Sequence, residues 1–239
     1  MNKIIVIIPA RFASTRLPGK PLKKIGNRSL IQKIYESVAE MELFHKIIVV
    51  TDDERISKEV KNFGGEVFFS TQPHYSGTDR IAEVAEKIDA EIFINIQADE
   101  IFITKNPLEE LITAFQKQET SVATLIHPLN AKDDIENPNQ VKVVFDKNDF
   151  AIYFSRYPIP YNRNQENIQH WGHIGVYAFR KDALMQFATL PQSYLEKSEK
   201  LEQLRLLENG IKIRVVKTDY FSFGIDTPED LERARKMLN

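Results

Sequence analysis

The sequence predicts an α/β protein built on a doubly wound, mostly parallel sheet, with a smaller β-containing region in its second half. Three observations carry this expectation. Residues 4–8, 46–50 and 91–96 are continuous, β-branched apolar runs. Amphipathic helical patterns lie between them, and beyond residue 140 the pattern shifts to short strands that pair locally. An apolar run without alternation suits a strand covered on both faces, as a parallel sheet flanked by helices requires.

Taken in order, the run at 4–8 is followed by Leu30, Ile31, Ile34, Tyr35 and Val38, which recur at helical spacing behind a natural N-cap, Ser29. The strand at 46–50 leads to a helix over 53–63, closed by Gly64-Gly65, and to a short strand at 67–69. After Thr78, a third helix shows in Ile81, Val84, Ala85 and Ile88, and the strand at 91–96 follows. A helix over 107–118 and a strand over 122–126 complete a β-α-β alternation. In the second half, strands at 141–145 and 150–154 flank Asp146-Lys147-Asn148-Asp149 as a hairpin. A strand at 174–179, helices at 181–189 and 197–208, and a strand at 211–216 come next. Thr227-Pro228-Glu229-Asp230 opens the last helix with a hydroxyl cap, Pro at its first position and acids in its first turn. Residues 157–167, rich in Pro and Asn, read as a flexible loop. There is no internal repeat or linker, so residues 1–239 read as one α/β domain, with 130–220 holding the smaller region.

Composition narrows the function. The 239 residues hold 32 Lys and Arg against 34 Asp and Glu, a net charge of −2, which excludes a globally basic nucleic-acid binder. With 42% hydrophobic and 28% charged residues, the chain has ordinary globular usage. It has no cysteine, which excludes disulfides, thiolate catalysis and Cys-ligated metal centres. The apolar stretch after Met1-Asn2-Lys3 is too short for a secretion signal, and no run approaches the roughly eighteen apolar residues of a membrane span. The expectation is a cytoplasmic protein with neither membrane nor nucleic acid as partner.

The chemistry gathers where predicted strands end. The first strand delivers the chain into Pro9-Ala10-Arg11-Phe12-Ala13-Ser14-Thr15-Arg16-Leu17-Pro18-Gly19-Lys20, a loop with three cations and two hydroxyls. Ligands of open α/β sheets bind at the carboxyl ends of strands. Arg forks, a mobile Lys ammonium and loop amides suit a polyphosphate. Neither G-x-x-x-x-G-K-[ST] nor G-x-G-x-x-G is present, so this is neither a P-loop nor a dinucleotide fingerprint. Asn95-Ile96-Gln97-Ala98-Asp99-Glu100 ends another strand; Asp99 is a candidate Mg²⁺ ligand, and Glu100 is expected to pack outward. Asp226, in Gly224-Ile225-Asp226-Thr227-Pro228, is either a second ligand or a local backbone cap. Ser76-Gly77-Thr78-Asp79-Arg80 offers a helix cap, a glycine for close approach, and an Arg for a base or phosphate. Arg156, His170, His173, Tyr177, Glu202, Gln203 and Arg205 are scattered polar groups; His170 and His173 lack a third ligand nearby for a metal, and Tyr and His lining a sugar pocket is the better reading.

Together these motifs resemble the 3-deoxy-manno-octulosonate (Kdo) cytidylyltransferases, or CMP-Kdo synthetases. The resemblance begins in Ile8-Pro9-Ala10-Arg11 and Arg16-Leu17-Pro18-Gly19-Lys20-Pro21. It continues through Thr51-Asp52, Ser76-Gly77-Thr78-Asp79-Arg80, Asn137-Pro138-Asn139 and Tyr153-Phe154-Ser155-Arg156. It ends with His173-Ile174-Gly175-Val176-Tyr177, Lys200-Leu201-Glu202-Gln203-Leu204-Arg205 and Gly224-Ile225-Asp226-Thr227-Pro228. It implies a nucleotide-diphospho-sugar transferase fold. It also implies activation of Kdo by CTP to give CMP-Kdo and pyrophosphate for lipopolysaccharide synthesis, with Mg²⁺ as cofactor and a homodimer as assembly. By the same resemblance, Arg11, Lys20, Asp99 and Asp226 are the catalytic set, with Asp99 and Asp226 on the metal. Ala10, Arg11, Ser14, Arg16, Lys20, Arg80 and Gln97 bind CTP. Arg156, His173, Tyr177, Glu202 and Gln203 bind the sugar acid, whose carboxylate would meet Arg156 or a protonated His173. The family usually reads Gln-Gly-Asp-Glu-Pro where this chain has Gln97-Ala98-Asp99-Glu100-Ile101. The expectation is that Ala98 keeps a negative φ and Asp99 still faces the cleft. Two other readings stand beside this one: transfer to a related acid (an 8-amino-Kdo or a nonulosonic acid), and a nucleotide-binding paralogue without catalysis.

Overall fold

The computed structural model describes residues 3–13, 16–72, 74, 76–164, 166–220 and 223–238. The chain divides into two compact units, Met1–Lys105 with Ser222–Asn239, and Asn106–Phe221.

The first unit starts with β1 (Ile4–Pro9), then a small hairpin of β2 (Lys24–Ile25) and β3 (Arg28–Ser29), and α1 (Leu30–Glu40). It continues through β4 (Lys46–Thr51), α2 (Glu54–Asn62), β5 (Val67–Phe69), α3 (Gly77–Lys87) and β6 (Ile92–Asn95). Its strands run in the order β6-β1-β4-β5, all parallel. The chain builds from β1 outward to β5, then returns to the other side of β1. That reversal makes a crevice at the carboxyl ends of β1, β4 and β6. Every residue of β1 is buried, as its unbroken apolar run requires. Leu30, Ile31, Ile34 and Val38 form the buried face of α1, and the Ser29 hydroxyl accepts the Gln32 amide at its start. Each fully buried aliphatic side chain contributes about 1.5–3 kcal/mol.

The second unit follows with α4 (Lys105–Thr113), β7 (Val122–Leu129), α5 (Lys132–Glu136), β8 (Lys142–Phe145), β9 (Ala151–Ser155), β10 (His170–Arg180), α6 (Lys181–Thr189), α7 (Tyr194–Glu199), α8 (Gln203–Glu208) and β11 (Ile213–Lys217). Here β11 lies parallel to β7, while β7–β10, β10–β8 and β8–β9 are antiparallel. The expected hairpin is β8–β9. The chain then re-enters the first unit as α9 (Pro228–Leu238).

Four expected elements differ in extent or number. The strand expected over 174–179 begins at His170 and ends at Arg180. The helix expected over 107–118 ends at Thr113 and tightens into a 3₁₀ turn, Ala114–Gln116. The strand expected to stop at 126 runs to Leu129 despite Pro128; past Ile126 the register with β11 has ended, and a strand with one partner tolerates Pro. The single helix expected over 197–208 is two. Ser193 and Glu196 form a reciprocal capping box that starts α7 earlier, and Lys200 adopts a left-handed conformation (φ 56°) that ends it.

Candidate active site

Three strand ends and two helix starts build the site of the first unit. Past β1, the loop closes on itself. The Gly19 amide donates to the Phe12 carbonyl (3.0 Å), and Gly19 has φ 65°, with its missing side chain facing the Phe12 ring. A Cβ there would meet that ring at 3.0 Å, so glycine is needed for both conformation and space. The Arg55 guanidinium covers the same ring. This closure brings Lys20 back toward the sheet. Ala10 is buried, its amide bound to the Val50 carbonyl, while Arg11 and Arg16 stay exposed. Ser14 lies outside the described residues.

Lys20 is the centre of the arrangement. Its Nζ donates to Asp99 Oδ2 at 2.8 Å and to Asp226 Oδ1 at 3.0 Å, and Arg16 holds Asp226 Oδ2 at 2.8 Å. Asp99 comes from the turn after β6. Asp226 comes from the approach to α9, where Asp230 Oδ2 accepts both the Asp226 and Thr227 amides (3.1 and 3.0 Å) and the Thr227 hydroxyl accepts the Asp230 amide. The helix cap therefore also fixes the Asp226 backbone. Burial disfavours the Lys20 charge, but the two carboxylates outweigh it and raise the Lys20 pKa above its ordinary value. Two hard carboxylate groups already converge on one cation, a donor set that fits Mg²⁺. Among the described residues no group of three or more His, Asp or Glu forms a denser cage.

Beside this cluster, Arg80 in α3 is only 2% exposed. Its Nη2 binds Asp52 Oδ2 at 2.6 Å, and that bond holds the Asp52 carboxyl below its usual range, with the Arg11 charge contributing. Its Nε and Nη1 are buried without a partner. Gln97 donates to Asn95 Oδ1 (3.2 Å), and Gly77 lies in ordinary contact range of Gln97 and Pro9. The structure thus gathers Ala10, Arg11, Arg16, Lys20, Arg80, Gln97, Asp99 and Asp226 in one unit. Glu100 differs from expectation: it is buried rather than facing outward.

In the second unit, β10 presents His173 and Tyr177, whose ring centroids are 5.2 Å apart. A register shift between Ile174 and Tyr177 is filled by the Thr124 hydroxyl, which meets the Ile174 and Val176 carbonyls and lies 3.0 Å from His173 Nε2. Burial lowers the His173 pKa to about 3, so the ring is neutral at physiological pH. That corrects the expectation of a protonated His173 facing a carboxylate: a ring packed among Thr124, Phe154 and Tyr177 has its charged form disfavoured by desolvation. Burial, with the Glu202 charge adding, keeps the buried Tyr177 hydroxyl protonated beside Thr124. Gln203 Nε2 is buried and unpartnered.

Arg156 is not a free cation. Its guanidinium donates to the carbonyls of Glu199 (2.7 Å), Pro138 (3.0 Å) and Lys200 (3.4 Å). His170 lies against the Ile159 carbonyl (3.0 Å). Arg205 makes a buried two-point pair with Glu196 at 2.8 and 2.6 Å and belongs to the packing of α7 on α8.

The family model described as Cytidylyltransferase matches residues 5–213. A 3-deoxy-manno-octulosonate cytidylyltransferase of Christiangramia forsetii is 48% identical, covering 100% of this chain and 98% of its own length. One from Flavobacterium johnsoniae is 46% identical, covering 99% and 98%. The chain belongs to this cytidylyltransferase family. Among solved structures, a CMP:2-keto-3-deoxy-manno-octonic acid synthetase complexed with CTP matches with TM-score 0.93 and 41% identity over 99% of this chain and 98% of that one. HddC from Yersinia pseudotuberculosis, at TM-score 0.71 and 17% identity over the full length of both chains, shares the fold alone.

Membership in the cytidylyltransferases gives the Ala98 departure its context. The left-handed non-glycine residues among those described are Glu42, Asp149 and Lys200, so Ala98 has the negative φ expected and no glycine is needed there. Asp99 still reaches Lys20. Sequence reasoning missed Lys142. It is fully buried, with its ammonium donating to the carbonyls of Asn137 (3.0 Å), Gln140 (2.6 Å) and Arg156. Burial, joined by the Arg156 charge, lowers its pKa. A lysine opening a hairpin strand reads as solvated, and only the folded chain shows the carbonyls of the preceding turn and of Arg156 closing on its ammonium.

Proposed function

We propose that the protein activates 3-deoxy-manno-octulosonate with CTP, giving CMP-Kdo and pyrophosphate. The observation that carries this reading is the convergence of Asp99 and Asp226 on Lys20 at the strand ends, in a chain of this family. The sugar's anomeric hydroxyl attacks the α-phosphorus of CTP. A new O–P bond forms, the bond to the β-phosphate bridging oxygen breaks, and the hydroxyl proton passes to solvent.

The protein's contribution is positioning and charge, which suffices for such displacements. Arg11, Arg16 and Lys20 provide cations for the triphosphate, with Ser14 in the same loop. The two unpartnered donors of Arg80 are buried and already charged, so a base or phosphate oxygen would complete them. Ala10 and Gln97 lie along the cytidine in this reading. Asp99 and Asp226 would hold Mg²⁺. When bound, that ion acidifies the attacking hydroxyl and neutralises the departing pyrophosphate.

In the second unit, Tyr177 and Gln203 offer buried polar atoms for sugar hydroxyls, Gln203 Nε2 being without a partner, and Glu202 offers a carboxylate. His173 serves as a neutral hydrogen-bonding ring. Arg156, already tied to three carbonyls, sets the shape of the loop as well as its charge. The reading includes a homodimer, supported by exposed Tyr157 and Tyr161 in the second unit (79% and 86%). It also includes action in the cytoplasm, consistent with no helix among the described residues being long and apolar enough to cross a membrane.

Phosphorus NMR of CTP, Mg²⁺ and Kdo incubated with the enzyme tests this. Appearance of a phosphodiester resonance together with pyrophosphate supports it. Unchanged CTP, or hydrolysis to CMP alone, contradicts it.

A further inference from the structure

We propose that Lys20 serves first as a placeholder cation. Without nucleotide, its ammonium occupies the position between Asp99 and Asp226 that a divalent ion takes, and the triphosphate frees that position by drawing Lys20 away. The inference rests on reading Asp99 and Asp226 as the metal-holding pair.

The geometry carries it. One nitrogen lies 2.8 Å from an Asp99 oxygen and 3.0 Å from an Asp226 oxygen, so it fills the space between them. A Mg²⁺ ion bound to the same oxygens would sit about 2.1 Å from each, inside the volume the ammonium occupies. The two cations cannot share the pair: they overlap, and like charges at such range repel strongly in a half-buried site. The charges also balance. Lys20 and Arg16 face Asp99 and Asp226, so these two carboxylates are already matched by two cations and their pull on a dication is reduced. Both carboxylates are positioned by the fold, Asp226 through its Asp230-bound amide. Lys20, by contrast, is a compact charge on a flexible stem, able to move while its partners stay.

A triphosphate offers Lys20 more negative charge than two carboxylates do. Taking the ammonium onto phosphate oxygens leaves the carboxylates unpaired next to the nucleotide, where a dication is then needed. Nucleotide and metal binding therefore support each other, and each raises the affinity for the other equally. The protein would hold its metal only when there is a substrate to act on. Arg16 has a lesser role, because it touches a single oxygen of Asp226 and is more than half exposed.

Mn²⁺ binding to the full chain without nucleotide, followed by electron paramagnetic resonance, tests the proposal. Wild type should bind Mn²⁺ weakly. Lys20→Met should bind it about tenfold or more tightly, Arg16→Met by no more than about threefold, as the loss of one nearby charge allows. Adding Asp99→Asn to Lys20→Met should abolish the gain. Equal gains in Arg16→Met and Lys20→Met would show a general charge effect and overturn the placeholder. So would Lys20→Met binding no tighter than wild type while Asp99→Asn still weakens Mn²⁺ binding; in that case the metal-pair reading survives. Mn²⁺ binding indifferent to Asp99→Asn in every background would instead remove the metal-pair reading itself. Should Lys20→Met fail to fold, the ¹⁵Nζ resonance of Lys20 in wild type gives the same answer. CTP added without divalent ions should shift it, and an unmoved resonance overturns the proposal.

Discussion

Asp99 and Asp226 lie more than half the chain apart, yet both reach the same ammonium. If they hold the metal, Asp99→Asn should lower turnover by about two orders of magnitude or more, while CTP binding without Mg²⁺ survives by calorimetry. Unchanged turnover would remove Asp99 from the chemistry. These residues were legible because acids and cations at the ends of buried apolar runs have one reasonable place to go. Their pairings were not legible. Nothing in local spacing links Arg80 to Asp52, or Lys142 to the Arg156 carbonyl, because those contacts exist only once strands are in register. His173 shows the cost of reading residue type without surroundings: its identity suggested a cation, and its burial makes it neutral. Its folded pKa of about 3 lies below the unfolded value of 6.5. In that window the unfolded chain binds the extra proton, so stability falls as pH drops from about 6.5 toward about 3. His173→Asn should flatten that loss, measured as the melting temperature between pH 6.5 and 4. An unchanged slope would mean that other groups carry it.

Elements were legible where periodicity and caps agreed. Ser29, Asp53 and Thr227 each accept an amide at the start of the helix they were expected to open or precede. The break between α7 and α8 was not legible, since Lys200 is no usual helix terminator, yet it takes the left-handed conformation. The two helices are joined by Arg205 and Glu196, both almost fully buried. Arg205→Met should cost about 3–5 kcal/mol in urea unfolding, because it strands a buried carboxylate. Arg205→Met with Glu196→Leu should recover most of the loss; no recovery would mean that the pair's geometry, not its charge, holds the two helices. At α9, Asp230→Ala removes the acceptor of the Asp226 and Thr227 amides. It should cost about 1 kcal/mol of stability as a lost cap and also weaken Mn²⁺ binding in the presence of CTP. A stability loss alone would separate the cap from the site.

For the whole molecule, the alternation of buried strands and amphipathic helices predicted the parallel sheet of the first unit, with its reversal beside β1. The mixed pairing of the second unit was legible only at its β8–β9 hairpin, because β7, β10 and β11 pair across long stretches of chain. Nothing in composition or spacing names the sugar; that comes from the family. A homodimer should appear by light scattering at twice the 27.7 kDa chain mass. A monomer would contradict that part of the reading. The most direct measurement of the central claim is pyrophosphate release from CTP and Mg²⁺ with Kdo, an 8-amino-Kdo and a sialic acid in parallel. The account predicts rapid release with Kdo, lost in Asp99→Asn. Silence with Kdo, or release only with another acid, would contradict it.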